Sequence, residues 1–170
     1  MRLLKVLPLC VLTGMLLFVA RVQAADTGQV AATVTVQNIS LTVSDGTISY
    51  GVLPVSTTKA TVNLDPVDTQ TVTNNGNVAA KFNVRGTDSA DWTLSTTIDT
   101  DQYIHKFCTS SCGTPPTNYT ALSSGSYTTL AASVNPSGTA SLDLEISTPS
   151  SSTSYDAQSV NVTVQATLPD

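Results

Sequence analysis

The chain has 170 residues, with seven Lys and Arg against twelve Asp and Glu, a formal charge of −5 and only 11% charged residues. An acidic, lysine-poor surface repels phosphate backbones and anionic headgroups alike, which argues against nucleic acid as a partner. One histidine, three cysteines and 5% aromatic residues leave little material for acid–base catalysis, a metal cage or an aromatic sugar platform.

The N-terminus reads as an export signal. Arg2 and Lys5 precede an apolar run from Val6 to Ala20, and Val22-Gln23-Ala24 offers the small-residue pattern of a cleavage site. Pro8 and Gly14 interrupt the run, which is short for a membrane span. Residues 1–24 are therefore expected to be a cleaved signal peptide, and 25–170 a single domain in the secreted, cell-surface or periplasmic space. Losing Arg2, Lys5 and Arg21 leaves four basic residues against twelve acidic ones, a charge of −8. Nothing after Ala25 approaches membrane-spanning length, so no integral membrane segment is expected in the mature chain. Cys10 leaves with the signal; Leu9 stands where a lipidation motif calls for a small residue.

The mature sequence has a period near two. Val34 and Val36 share one parity while Ile39, Leu41 and Val43 have the other, which calls for a bulge or bend at Gln37-Asn38. Ser44-Asp45-Gly46 is a turn ahead of Thr47–Leu53. Asn74-Asn75-Gly76-Asn77 separates Asp68–Thr73 from Val78–Arg85, and its Asn-Gly step suggests the positive φ of a tight hairpin. Val78, Ala80, Phe82 and Val84 then alternate with polar residues, and Trp92 and Leu94 share a face. The stretch 99–126 is the least regular and is expected to be a decorated hairpin or loop insertion. Asn135-Pro136-Ser137-Gly138 leads into Thr139–Ser147, where Leu142, Leu144 and Ile146 alternate with Ser141, Asp143 and Glu145. The Ser-rich stretch Pro149–Ser154 precedes a last run in which Val160, Val162 and Val164 alternate with Asn161 and Thr163.

No segment after Ala25 carries a sustained 3.6-residue apolar repeat, so no significant helix is expected. The predicted fold is all-β: a two-sheet antiparallel β-sandwich, Ig-like or jelly-roll-like, with about eight to ten strands. Its predicted core holds Phe82, Val84, Trp92, Leu94, Leu142, Leu144, Ile146, Val160, Val162 and Val164.

Chemistry is sparse. Cys108 and Cys112, the even pair left in an oxidising compartment, are expected to form a disulfide that pins a loop. His105 lies within reach in sequence, but a structural zinc site wants four ligands and the disulfide is the favoured reading. Asp99-Thr100-Asp101 lacks the spacing of a calcium loop and reads as a solvated turn. His105 itself, in Tyr103-Ile104-His105-Lys106-Phe107, reads as a surface or half-exposed strand residue. No Gly-x-Ser-x-Gly elbow, His-Glu-x-x-His helix or phosphate loop occurs. The expectation is no catalytic residue, no metal and no cofactor; the less favoured alternative is a hydrolase, which would need His105 as its general base. Asn38, Asn118 and Asn161 head glycosylation sequons, which matter only in a eukaryotic host.

Ile48-Ser49-Tyr50-Gly51-Val52-Leu53-Pro54-Val55, the central Trp92-Thr93-Leu94 and the closing Thr-rich strand resemble bacterial cell-surface β-domains of the WxL type. That family carries a second Trp-x-Leu near its C-terminus; here the corresponding stretch reads Val162-Thr163-Val164-Gln165-Ala166. Val72–Val78 is also similar to strand-turn segments of Ig-like surface modules and of TasA/camelysin-type biofilm fibre subunits. The resemblance implies a non-catalytic exported surface, extracellular-matrix or adhesion module, with a glycan- or cell-wall-polymer-binding domain as the alternative. A further expected partner is the chain itself. Gln29–Thr42 and Ser159–Thr167 carry no charge and no proline, so either would be an unguarded edge if it lay at one.

Overall fold

The computed structural model describes residues 27–113 and 118–170; the expected signal peptide, Cys10 and Pro115-Pro116 lie outside the described residues. The chain divides into Met1–Thr35 and Val36–Asp170. Of the first unit, residues 27–35 are exposed and carry no regular secondary structure. The second unit holds ten strands: β1 (Leu41–Val43), β2 (Thr58–Ala60), β3 (Gln70–Asn74), β4 (Ala80–Arg85), β5 (Thr93–Leu94), β6 (Gln102–Cys108), β7 (Thr120–Ala121), β8 (Thr128–Val134), β9 (Thr139–Ser147) and β10 (Thr163–Thr167). Among the described residues the one helical element is a single 3-10 turn at Thr61–Asn63. Thr is the commonest residue of the strands, and its branched Cβ suits a pleated surface better than a helix.

Two sheets form, as the alternating pattern predicts. The larger runs β1-β3-β9-β6-β5, with β2 also on β9 and β7 also on β6; the smaller runs β10-β4-β8. β9 is the organising strand. Its first half pairs with β3, its second half with β2, and its other flank carries β6 from Ile104↔Ser147 to Cys108↔Asp143. All these ladders are antiparallel; β5 and β6 form the one parallel pair of strands among the described residues. The stretch expected to be a decorated hairpin does contain an antiparallel pair, β6 with β7. Yet β6 is no insertion: it lies between β9 and β5, inside the larger sheet.

Phe82 and Val84 are fully buried, and Leu94, Leu142, Leu144 and Ile146 lie in the same cluster with Val72, Tyr103 and Phe107. Trp92, Val160, Val162 and Val164 pack against this cluster but stay half-buried, so four of the expected core residues sit at its margin. For Trp92 the reason is polar: its indole Nε1 donates to Ser152 Oγ at 2.9 Å, which holds the ring at the rim. On β9 the solvent face is not uniform either. Ser141 is exposed, whereas Asp143 is buried and accepts hydrogen bonds from Thr61 Oγ1 (2.8 Å) and Thr69 Oγ1 (2.7 Å). The 3-10 turn after β2 covers that face, which alternation along β9 alone does not reveal.

Two expected turns behave differently. Gly46 has φ +68°, as the Ser44-Asp45-Gly46 turn requires. Asn74–Asn77, in contrast, is not a hairpin: β3 belongs to the larger sheet and β4 to the smaller, so this loop crosses between sheets. Gly76 has no positive φ; it is required because a Cβ there would collide with the Asn38 carbonyl oxygen. Buried Asn74 ties the crossing down, its Nδ2 donating to the carbonyls of Val78 (2.9 Å) and Val134 (2.8 Å) while its Oδ1 accepts from Gly76 N–H. The expected N-terminal strand with a bend at Gln37-Asn38 is also absent. Val34 and Val36 are exposed and only Leu41–Val43 joins a ladder, on β3.

Candidate functional site

Two clefts open beside the edges of the sandwich. The larger, about 550 Å³, is floored by Leu142, Leu144 and His105 and bordered by the chain after β1 and the chain leading into β10. The smaller, about 380 Å³, holds Trp92, Ile146, Thr148 and Tyr155. Both are lined by Tyr50, Gly51, Ala157 and Gln158, so they meet as one elongated trench.

The borders are positioned by polar side chains that hydropathy reading passes over. Buried Gln70 on β3 accepts from Ser44 Oγ (2.8 Å) and Gly46 N–H (3.1 Å), which sets where the chain leaves β1. At the other end, Asp101 accepts from Thr153 N–H (2.8 Å), Thr153 Oγ1 (2.6 Å) and Ser152 Oγ (2.9 Å) and fastens the Ser-rich segment. The Thr153 hydroxyl, then its backbone N–H, holds the Asp101 carboxyl below the usual carboxylate range. Asp101 is thereby a structural staple; Asp99 caps its own turn through Thr100 N–H at 2.8 Å.

His105 is the main correction to the sequence reading. It is only 2% exposed, not a surface residue. β6 places Tyr103, His105 and Phe107 on the inward face and Ile104 and Lys106 on the other, so parity decides its direction and its polarity does not. Its Nε2 lies 3.1 Å from the Tyr50 hydroxyl, and its Nδ1 has no hydrogen-bond partner among the described residues. Burial pulls its pKa down to about 4, which keeps the imidazole neutral at ordinary pH. Burial, with Tyr119 and nearby carboxylates adding to it, pushes the Tyr50 hydroxyl well above its usual value. The larger cleft thus presents a neutral ring, a neutral phenol and aliphatic side chains, and no Asp, Glu, Lys or Arg lines it.

The disulfide reading is met: Cys108 and Cys112 are bonded, across the loop that follows β6. His105 points away from them toward Tyr50, so the three donors weighed for zinc do not converge. Trp92-Thr93-Leu94, the residues that carry the WxL resemblance, span β5 at the edge of the larger sheet. The aromatic side chains separate in space: Tyr103 is core, Tyr50 and Trp92 border the trench, and Tyr155 is 92% exposed beside it. Sequence reasoning missed Tyr50 and Gln70. The half-buried alternation of Ile48 and Tyr50 was the available signal.

Among the described residues no helix is long and apolar enough to cross a membrane. Comparison of the chain with protein-family models, with curated proteins and with solved structures found no match to any of them.

Proposed function

We propose that this protein is an exported, non-catalytic surface or matrix module that acts as a structural or adhesive subunit. The observation that carries the reading is the trench itself. Its larger cleft is uncharged and aliphatic-floored, and its histidine and tyrosine are engaged with each other. Such a surface gains by burying an apolar segment, whereas hydrolysis or transfer calls for an accessible nucleophile with a base beside it. The export signal, the acidic mature charge and the disulfide agree with work outside the cytoplasm.

A second reading, recognition of a glycan or cell-wall polymer, has one observation in its favour. Trp92 and exposed Tyr155 line the same end of the trench, beside Ser152, Ser154 and Asp156. Aromatic faces with hydroxyls and a carboxylate around them suit sugar stacking. The deciding experiment is a pull-down of the mature chain on purified cell wall, set beside size-exclusion chromatography of the same material. Large assemblies support the structural subunit, and wall retention lost on Trp92→Ala or Tyr155→Ala supports the glycan reading. An inert monomer that neither assembles nor binds overturns both.

A further inference from the structure

We infer that the outer face of the smaller sheet binds an acidic glycan, a polymer whose sugars carry carboxylates, with Arg85 as the group that takes the carboxylate. The inference rests on the adhesive side of the surface-module reading and gives it a surface apart from the trench. The mature chain is strongly acidic, yet its charge is unevenly spread. β4, β8 and β10 contain no Asp or Glu, and β4 alone holds Lys81 and Arg85, two of the four mature basic residues. Alternation turns both outward: Ala80, Phe82 and Val84 are buried, while Lys81, Asn83 and Arg85 take the other face. Register then brings Gln165 and Thr129 to either side of Asn83, and Thr163 beside Arg85. Val164, between Thr163 and Gln165, lines the larger cleft, so the trench lies on the opposite side of β10.

Arg85 is placed as a receptor and not as a structural cation. Its guanidinium lies 4.9 Å from the centre of the Tyr127 ring, which holds it in position. It has no ion pair among the described residues, its Nε has no hydrogen-bond partner, and of its three nitrogens only Nε is sealed from water. The other basic residues are committed or elsewhere: Lys81 is paired with Asp170, Lys106 with Glu145, and Lys59 lies on β2 of the larger sheet. The two outer nitrogens of Arg85 therefore form an unspent fork whose geometry matches a carboxylate. Around it stand the hydroxyls of Thr163, Thr167 and Thr129 and the amides of Asn83 and Gln165, donors and acceptors suited to sugar hydroxyls. Asn83 Nδ2 donates to Thr167 Oγ1 at 3.3 Å, which ties the middle strand to its neighbour across this face. The surroundings narrow the anion. A nucleic acid or polyphosphate calls for many cations along its length, and here one fork stands among neutral polar groups on an acidic chain. An acidic peptide gains most at a sheet edge, through its backbone, whereas this face presents side chains.

The test is isothermal titration of the mature chain, from Ala25 onward, with polygalacturonate. Binding should saturate and weaken as salt rises. The fully methyl-esterified polymer has the same sugars without the charge and should bind at least about tenfold more weakly. Arg85→Gln should lose affinity to the same extent, and Arg85→Lys should recover only part of it, since an ammonium offers no fork. Gln165 is exposed, so Gln165→Glu sets an acid on the face without touching the core and should weaken binding about threefold or more. Trp92→Ala, at the trench, should bind polygalacturonate as the unaltered chain does. Absence of binding overturns the inference, and so does equal binding of the esterified polymer. Undiminished affinity in both R85Q and Q165E overturns it too, as does poly-glutamate bound as tightly as polygalacturonate. Binding lost in Trp92→Ala but kept in Arg85→Gln moves the glycan to the trench, which overturns this site and leaves the glycan reading standing. A chain that ignores polygalacturonate but still assembles or is retained on cell wall keeps the surface-module reading. A chain that does none of these loses both.

Discussion

The Tyr50 hydroxyl lies 3.1 Å from Nε2 of His105, a residue 55 positions away that the sequence alone places at the surface. The contact joins the irregular chain after β1 to the inward face of β6, and both residues line the larger cleft. Its energetic consequence is a pH dependence. Protonated imidazole carries two N–H donors, and Nδ1 has no acceptor among the described residues, so the folded state resists protonation.

The folded ring titrates near 4 and the unfolded one near 6.5. Between those values the unfolded chain binds a proton that the folded chain does not. Stability is therefore complete above about pH 6.5, falls as the pH drops, and levels off below about 4, for a total of roughly 3 kcal/mol. Urea titrations from pH 4 to 7 measure this slope, and His105→Gln should flatten it. A slope unchanged in the variant would assign the titration elsewhere. The carboxyls of Asp45, Asp91 and Asp101 are held below their usual range, so the stability they add is lost at lower pH than this window.

A second prediction concerns the buried hydroxyl of Thr61. It donates to Asp143 Oδ1 at 2.8 Å and accepts from Leu144 N–H at 3.1 Å, which joins the 3-10 turn to the middle of β9. Thr61→Val keeps the shape and leaves both partners short of one bond. The expected cost is about 1–3 kcal/mol by chemical denaturation. A neutral result would mean that water reaches Asp143.

Phe82 and Trp92 should separate sharply on truncation. Phe82 is fully buried on β4, so Phe82→Ala is expected to cost about 3–5 kcal/mol. Trp92 is half-buried with its indole N–H on Ser152, so Trp92→Ala should cost distinctly less. Equal losses in the two unfolding curves would show that Trp92 is as much a core residue as Phe82.

What was legible beforehand follows from what alternation can encode. Phe82, Val84, Leu142, Leu144 and Ile146 were readable because each lies on a strand with one apolar and one polar row. Asp143 and His105 were not, because their polarity argues outward while their position argues inward. Only a neighbouring segment, the 3-10 turn for one and Tyr50 for the other, makes the inward position tolerable. The Asn74–Asn77 turn is legible but its topology is not: Asn-Gly reports a tight reversal, not whether the next strand returns to the same sheet. The trench was invisible for the same reason, since its borders come from segments about a hundred residues apart that share no sequence signature.

The Cys108–Cys112 bond closes a loop of four-residue separation after β6. On the chain-entropy account so short a loop contributes only about 2 kcal/mol, since little freedom is removed from the unfolded chain. Cys108 already lies on the ladder to β9, paired with Asp143, so the strand is held without the bond. Cys112, by contrast, is buried beyond the end of that ladder and is joined to it by the covalent link. The double variant Cys108→Ser/Cys112→Ser is therefore expected to melt a few degrees lower, keep its β-type circular dichroism, and gain protease sensitivity between Thr109 and Gly113. Global unfolding of the variant under the same conditions would show that the bond holds the larger sheet and not merely the loop.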